Sequence, residues 1–209
     1  MSIELSETAL RSHYASVCAI PALLVYRHQV EDGFELTAAE TLLQSTMGSE
    51  QRQLEYRIGR SALKAALLAI GKNADTAAIT WPSPYCSLSH SHGHAIAVSR
   101  LEGEGIGVDL QLIKTPAPAT ANRILSSETL RYWRGLPEDS QSRVLQRFWT
   151  VNEAVYKACP APQPAYFRHY RMEDAEAMNG KVTIEGTDLC FMVHTAELTD
   201  GYVSLAYRI

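Results

Sequence analysis

The chain predicts an α+β fold of two similar lobes, an N-terminal lobe over residues 1–104 and a C-terminal lobe over residues 105–209. Three observations lead there. Each half holds one long segment with apolar residues at helical spacing, at 50–70 and at 142–159. Each half also holds short segments that alternate like strands. Proline-dense stretches separate these segments and forbid continuous helix or central strand through them.

The first helix is expected from Glu50 to Ile70. Leu54, Ile58 and Ala62 recur along one face, Leu63, Leu67 and Ile70 widen it, and Gly71 is placed to end it. The second runs from Ser142 to Cys159 and is stopped by Pro160. Val108, Leu110 and Leu112 alternate with Asp109 and Gln111, the pattern of a half-buried strand. Val203, Leu205, Tyr207 and Ile209 alternate with Tyr202, Ser204, Ala206 and Arg208 in another. The clearest loops are Trp81-Pro82-Ser83-Pro84, Thr115-Pro116-Ala117-Pro118 and Pro160-Ala161-Pro162-Gln163-Pro164.

A net charge of −4 argues against a surface built for nucleic acid, though it leaves room for a local basic pocket. No apolar run reaches the roughly 18 residues that suggest a membrane span. The start, Met1-Ser2-Ile3-Glu4, lacks the basic and apolar regions of a secretory signal. The four cysteines stand far apart and form no CxxC pair, so reduced thiols are the simplest reading. The expectation is a monomeric cytoplasmic protein.

Four clusters carry candidate chemistry. In Gly105-Ile106-Gly107-Val108-Asp109-Leu110-Gln111 the strand period puts Asp109 and Gln111 on one face. The glycines leave room for a ligand to approach the backbone. An acid there suits Mg²⁺, which takes one or two carboxylates plus waters and phosphate oxygens; a strand-end cap is the other reading. On the second helix Trp149, Glu153 and Lys157 are successive i, i+4 neighbours. They form either an exposed ion pair beside a core Trp, or a base or metal ligand beside a phosphate contact. Ser89-His90-Ser91-His92-Gly93-His94 offers His90 as a phosphate donor, with zinc chelation by alternating histidines as an alternative. Arg57, Arg60 and Lys64 form one basic face of the first helix, either solvated or a socket for a polyanion.

The order of these clusters resembles the surfactin-type 4′-phosphopantetheinyl transferases over roughly residues 50–160. The residues that carry it are Glu55-Tyr56-Arg57-Ile58-Gly59-Arg60, Ser89-His90-Ser91, Gly107-Val108-Asp109-Leu110-Gln111 and Trp149-Thr150-Val151-Asn152-Glu153-Ala154-Val155-Tyr156-Lys157. The resemblance implies two α+β lobes related by a pseudo-twofold axis, with an active cleft between them. It implies Mg²⁺-dependent transfer of 4′-phosphopantetheine from coenzyme A to a serine of an apo acyl or peptidyl carrier protein. By the same resemblance Asp109 and Glu153 look like metal ligands, with Gln111 a weaker third. Glu153 and Lys157 look catalytic, and Arg57, Arg60, Ser89, His90 and Lys157 look like contacts for coenzyme A. The chain departs from the family pattern at three places: Gln111 replaces a carboxylate, Asn152 replaces a lysine, and Trp81-Pro82-Ser83-Pro84-Tyr85 stands where a Gly-Lys-Pro segment is common. These departures motivate an alternative reading, a non-catalytic relative that binds carrier protein or coenzyme A.

Overall fold

Two antiparallel sheets, meeting along one edge of each, organise the computed structural model. It describes residues 2–20, 22–31, 33–73, 75–112, 116–160, 162–163 and 166–209, with only the backbone of Leu23. Of the expected loops, Thr115, Ala161 and Pro164 therefore lie outside the described residues. The first sheet has the order β1-β3-β2, from β1 (Leu23–Arg27), β2 (Cys86–Ser91) and β3 (His94–Ser99). The second has the order β4-β8-β7-β6-β5, from β4 (Ile106–Leu112), β5 (Tyr170–Met172), β6 (Asn179–Ile184), β7 (Cys190–Leu198) and β8 (Gly201–Arg208). The chain passes from one sheet to the other between Ser99 and Ile106. The helices are α1 (Glu7–Val17), α2 (Ala38–Ser45), α3 (Glu50–Ala69), α4 (Ala121–Ile124), α5 (Ser127–Gly135) and α6 (Glu138–Ala158).

The helix α3 is the first predicted one. Ser49 caps its start by accepting the Arg52 N–H, and Gly71 beyond its end takes a positive φ of 72°. Its buried face, Ile58, Ala62, Leu63, Ala66 and Leu67, packs on Val25, Cys86, Ala95 and Ala97 of the first sheet. Leu54, expected on that face, is exposed, because the stripe meets the sheet only from Ile58 onward. The second predicted helix, α6, begins earlier than expected, after Pro137, with Glu138 and Asp139 in a first turn that favours acids. Val151, Ala154, Val155 and Ala158 of α6 pack on Val182, Ile184, Phe191, Val193 and Ala206 of the second sheet.

Between the sheets lies a shared core. Leu10 and Tyr14 of α1 meet Leu24, Ile96 and Val98 of the first sheet and Ile106, Val108, Leu110, Val203 and Leu205 of the second. The odd-numbered face of β4 is covered by α6. The strand is therefore buried on both sides, and the half-buried pattern expected of it is corrected. The glycines at its start are explained by the same packing. A Cβ on Gly107 would lie 1.9 Å from the Ala154 carbonyl oxygen and 2.6 Å from the Ala158 nitrogen. A Cβ on Gly105 would lie 2.1 Å from the Ala158 carbonyl oxygen. These glycines admit the helix rather than a ligand, which corrects the sequence expectation.

β2 and β4 are the facing edges of the two sheets, and serine side chains join them. Ser87, Ser89 and Ser91 accept the amide N–H groups of Val108, Leu110 and Leu112 at 3.0, 3.1 and 3.1 Å. Both strands have a period of two, so three hydroxyls on one face of β2 meet three successive outward amides of β4. Edge groups that would otherwise lie buried and unpaired are satisfied in this way.

Candidate functional site

The close approach of α6 to Gly107 sets the next odd position of β4 against the helix. That position is Asp109, which is buried (5 % exposed). Its Oδ1 accepts two donors, the Lys157 Nζ at 2.7 Å and the Ser89 hydroxyl at 2.8 Å. Lys157 also donates to the Val108 carbonyl at 3.2 Å. The second carboxylate oxygen, Oδ2, is buried without any protein partner. An unpartnered carboxylate oxygen in the interior is costly, and such an atom marks a place where something else supplies the missing partner.

Glu153 lies one helical turn before Lys157. Burial pushes its carboxyl above the ordinary glutamate value, the charge of Asp109 pushes it further, and Lys157 pulls it back only in part. The two carboxyls thus sense one another, and the lysine that pairs with the site bridges to Asp109. This differs from the plain helical Glu–Lys ion pair weighed from sequence.

Two cavities adjoin this centre. One, of about 430 Å³, is lined by Arg60, Trp81, Pro82, His90, Tyr156 and Lys157, among others. Arg60 and Lys157 give it a cationic lining, His90 joins them from β2, and this is where the structure brings those three sequence-selected residues together. Arg60 reaches it while stacking 4.7 Å over the Tyr56 ring and donating to the Thr76 carbonyl at 3.3 Å. The other cavity, of about 680 Å³, is lined by Glu153, Trp149, Tyr156, Phe167, Arg123 and Arg168, among others. Phe167 packs edge-on against both Trp149 and Tyr156, at 5.9 and 5.8 Å between ring centroids, and the three form its aromatic wall. Tyr156 lines both cavities.

The remaining candidates are placed differently. Ser89, expected to contact coenzyme A, is buried, and its hydroxyl is used within the protein, on Asp109 and on the Leu110 amide. Arg57 is exposed on α3 and does not line the cavity that Arg60 enters. Lys64 is drawn off the basic stripe by Glu40, an acid with no exposed surface, at 2.7 Å. Burial pushes the Glu40 carboxyl up, but Lys64, the Thr76 hydroxyl and the Thr37 and Thr76 amides outweigh it and hold it below the usual value. Gln111 sits two residues beyond Asp109 on β4, half-buried, and its carbonyl accepts the Gln146 amide at 3.3 Å. Asn152 is buried and donates to the Ile124 carbonyl at 2.8 Å, so it ties α6 to α4 and lines neither cavity. Sequence reasoning missed Arg123, Tyr156, Phe167 and Arg168. The run Tyr166-Phe167-Arg168, aromatic beside basic, was the available signal for two of them.

Among the described residues no group of three or more His, Cys, Asp or Glu side chains is arranged to hold a metal, and no helix is long and apolar enough to cross a membrane. All four cysteines are unpaired. No curated protein matches the chain. Residues 105–206, the stretch that carries Asp109, Glu153 and Lys157, match the family model of the 4′-phosphopantetheinyl transferase superfamily.

Proposed function

We infer that the protein is a surfactin-type phosphopantetheinyl transferase, which moves the 4′-phosphopantetheine arm of coenzyme A to a serine of an apo acyl or peptidyl carrier protein with the help of Mg²⁺. The observation that carries this reading is the unpartnered Oδ2 of Asp109, set beside Glu153, which lines the larger cavity, and Lys157, which lines the smaller.

The donor set fits the metal. Asp109 offers a free oxygen, Glu153 is held up by burial and then by a neighbouring negative charge that a cation relieves, and Mg²⁺ is content with two carboxylates when phosphate and water complete its shell. Gln111, on the same strand, is the weaker third candidate. When bound, the ion supplies positive charge to the pyrophosphate of coenzyme A and so lowers the barrier to an oxygen nucleophile. Arg60, His90 and Lys157 bind and orient phosphate groups in the smaller cavity. The carrier serine approaches from the side of the larger one, along the wall of Trp149, Phe167 and Tyr156. Its hydroxyl oxygen forms a bond to the β-phosphorus while the bond from that phosphorus to the bridging oxygen breaks. 3′,5′-Adenosine diphosphate leaves with the electron pair, and Glu153 accepts the serine proton. A carboxyl raised above the ordinary value is a better match to that task than an unperturbed one.

The test is transfer itself. With coenzyme A, Mg²⁺ and a panel of apo carriers, the wild-type protein should add the arm's mass to at least one carrier, and Glu153→Gln should lose that activity while still binding coenzyme A. Binding of coenzyme A with no mass gain on any carrier would make the chain a non-catalytic relative.

A further inference from the structure

The serine seam has three members with the same backbone task, and one of them also reaches a carboxylate. Ser87 and Ser91 accept an amide of β4, and the Ser91 hydroxyl also lies 3.1 Å from Nδ1 of its neighbour His92. Ser89 accepts the Leu110 amide and also donates to Asp109. A serine hydroxyl has a single proton. In Ser89 that proton is committed to Asp109 Oδ1, which leaves none for a phosphate oxygen. We propose that Ser89 is a positioning residue: it holds the Asp109 carboxylate so that Oδ2 is the oxygen presented to the metal.

This rests on the reading of Asp109 as a metal-facing carboxylate. The geometry supports it in two ways. Both protein donors to Asp109, the Ser89 hydroxyl and the Lys157 ammonium, fall on Oδ1, so the two carboxylate oxygens are inequivalent. Of the two donors, Lys157 is the compliant one, on a long stem with part of its surface in solvent. Ser89 is short, buried, and oriented by the Leu110 N–H, so it is the rigid one. Without it the carboxylate turns about its last torsion toward Lys157, and Oδ2 loses its direction. Groups that orient ligands in this manner typically change metal affinity by about 10- to 100-fold when removed.

Seam and positioning roles separate because Ser91 shares the first and lacks the second. In the full-length protein saturated with coenzyme A, calorimetric titration of Mg²⁺ into Ser89→Ala should give about 10- to 100-fold weaker binding than wild type. Ser89→Thr, which keeps the hydroxyl, should recover most of it. Ser91→Ala should lower the melting temperature about as much as Ser89→Ala while leaving Mg²⁺ binding and transfer unchanged. Wild-type Mg²⁺ affinity in a folded Ser89→Ala would overturn the proposal, as would equal weakening in Ser91→Ala. If wild-type protein binds neither coenzyme A nor Mg²⁺, the functional reading falls first and takes the proposal with it.

Discussion

Burial and the charge of Asp109 raise the Glu153 carboxyl above the ordinary glutamate value, and this has a thermodynamic consequence. An acid whose folded value is raised prefers its protonated form in the fold. Its favourable contribution is complete below the unfolded value, about pH 4.3, and is lost as pH rises through the higher folded value. Glu153→Gln removes that loss. Without ligands, the variant should match or trail wild type at low pH and melt higher above the window. The gap should open as pH rises from about 4.3 and then level off. Melting curves across pH check this, and a variant less stable than wild type at neutral pH would contradict it. Gain of stability with loss of transfer is the signature of a residue kept for chemistry. Glu153, Lys157 and Asp109 stood out in the sequence through the order of the motifs that hold them, while local periods told only which residues share a helix or strand face. The partner of Ser89 was not legible. Asp109 lies twenty residues away, and a period tells which way a side chain points without telling what it meets. Asn152 shows the same limit: next to Glu153 in sequence, it turns to α4 and serves packing.

At the level of elements, the pairing of α6 with β4 does most to build the site. The strand contributes Asp109, the helix contributes Glu153 and Lys157, and Gly107 sets the distance between them. Gly107→Ala would put a methyl group 1.9 Å from the Ala154 carbonyl, against backbone that has nowhere cheap to go. The cost should be about 3 kcal/mol or more, measured by urea unfolding, and the helix should lift enough to weaken the Lys157–Asp109 contact. An unchanged unfolding midpoint would show that α6 has slack at this point. The helices α3 and α6 and the strands β4 and β8 were readable in outline from apolar spacing. What the glycines of β4 make room for was not, since a glycine reports close approach and leaves the visitor unnamed. The same holds for Lys64, whose place in a basic stripe was apparent but whose buried partner Glu40 belongs to a different helix.

For the whole molecule, the two sheets are joined by the shared core under α1 and by the serine seam between β2 and β4. The amides of Val108, Leu110 and Leu112 point away from the ladder with β8, yet they should exchange with solvent as slowly as interior sheet amides, because each is held by a buried hydroxyl. Hydrogen exchange resolved by residue tests this, and fast exchange at these three alone would mean that the seam is open in solution. Side-chain hydroxyls spaced every second residue also act like the teeth of a rack. The next register that would re-engage all of them is two residues away, about 6.6 Å along the strand. Small sliding of one sheet past the other would unseat every tooth at once, so the seam that sets the register of β2 against β4 also keeps Ser89 opposite Asp109.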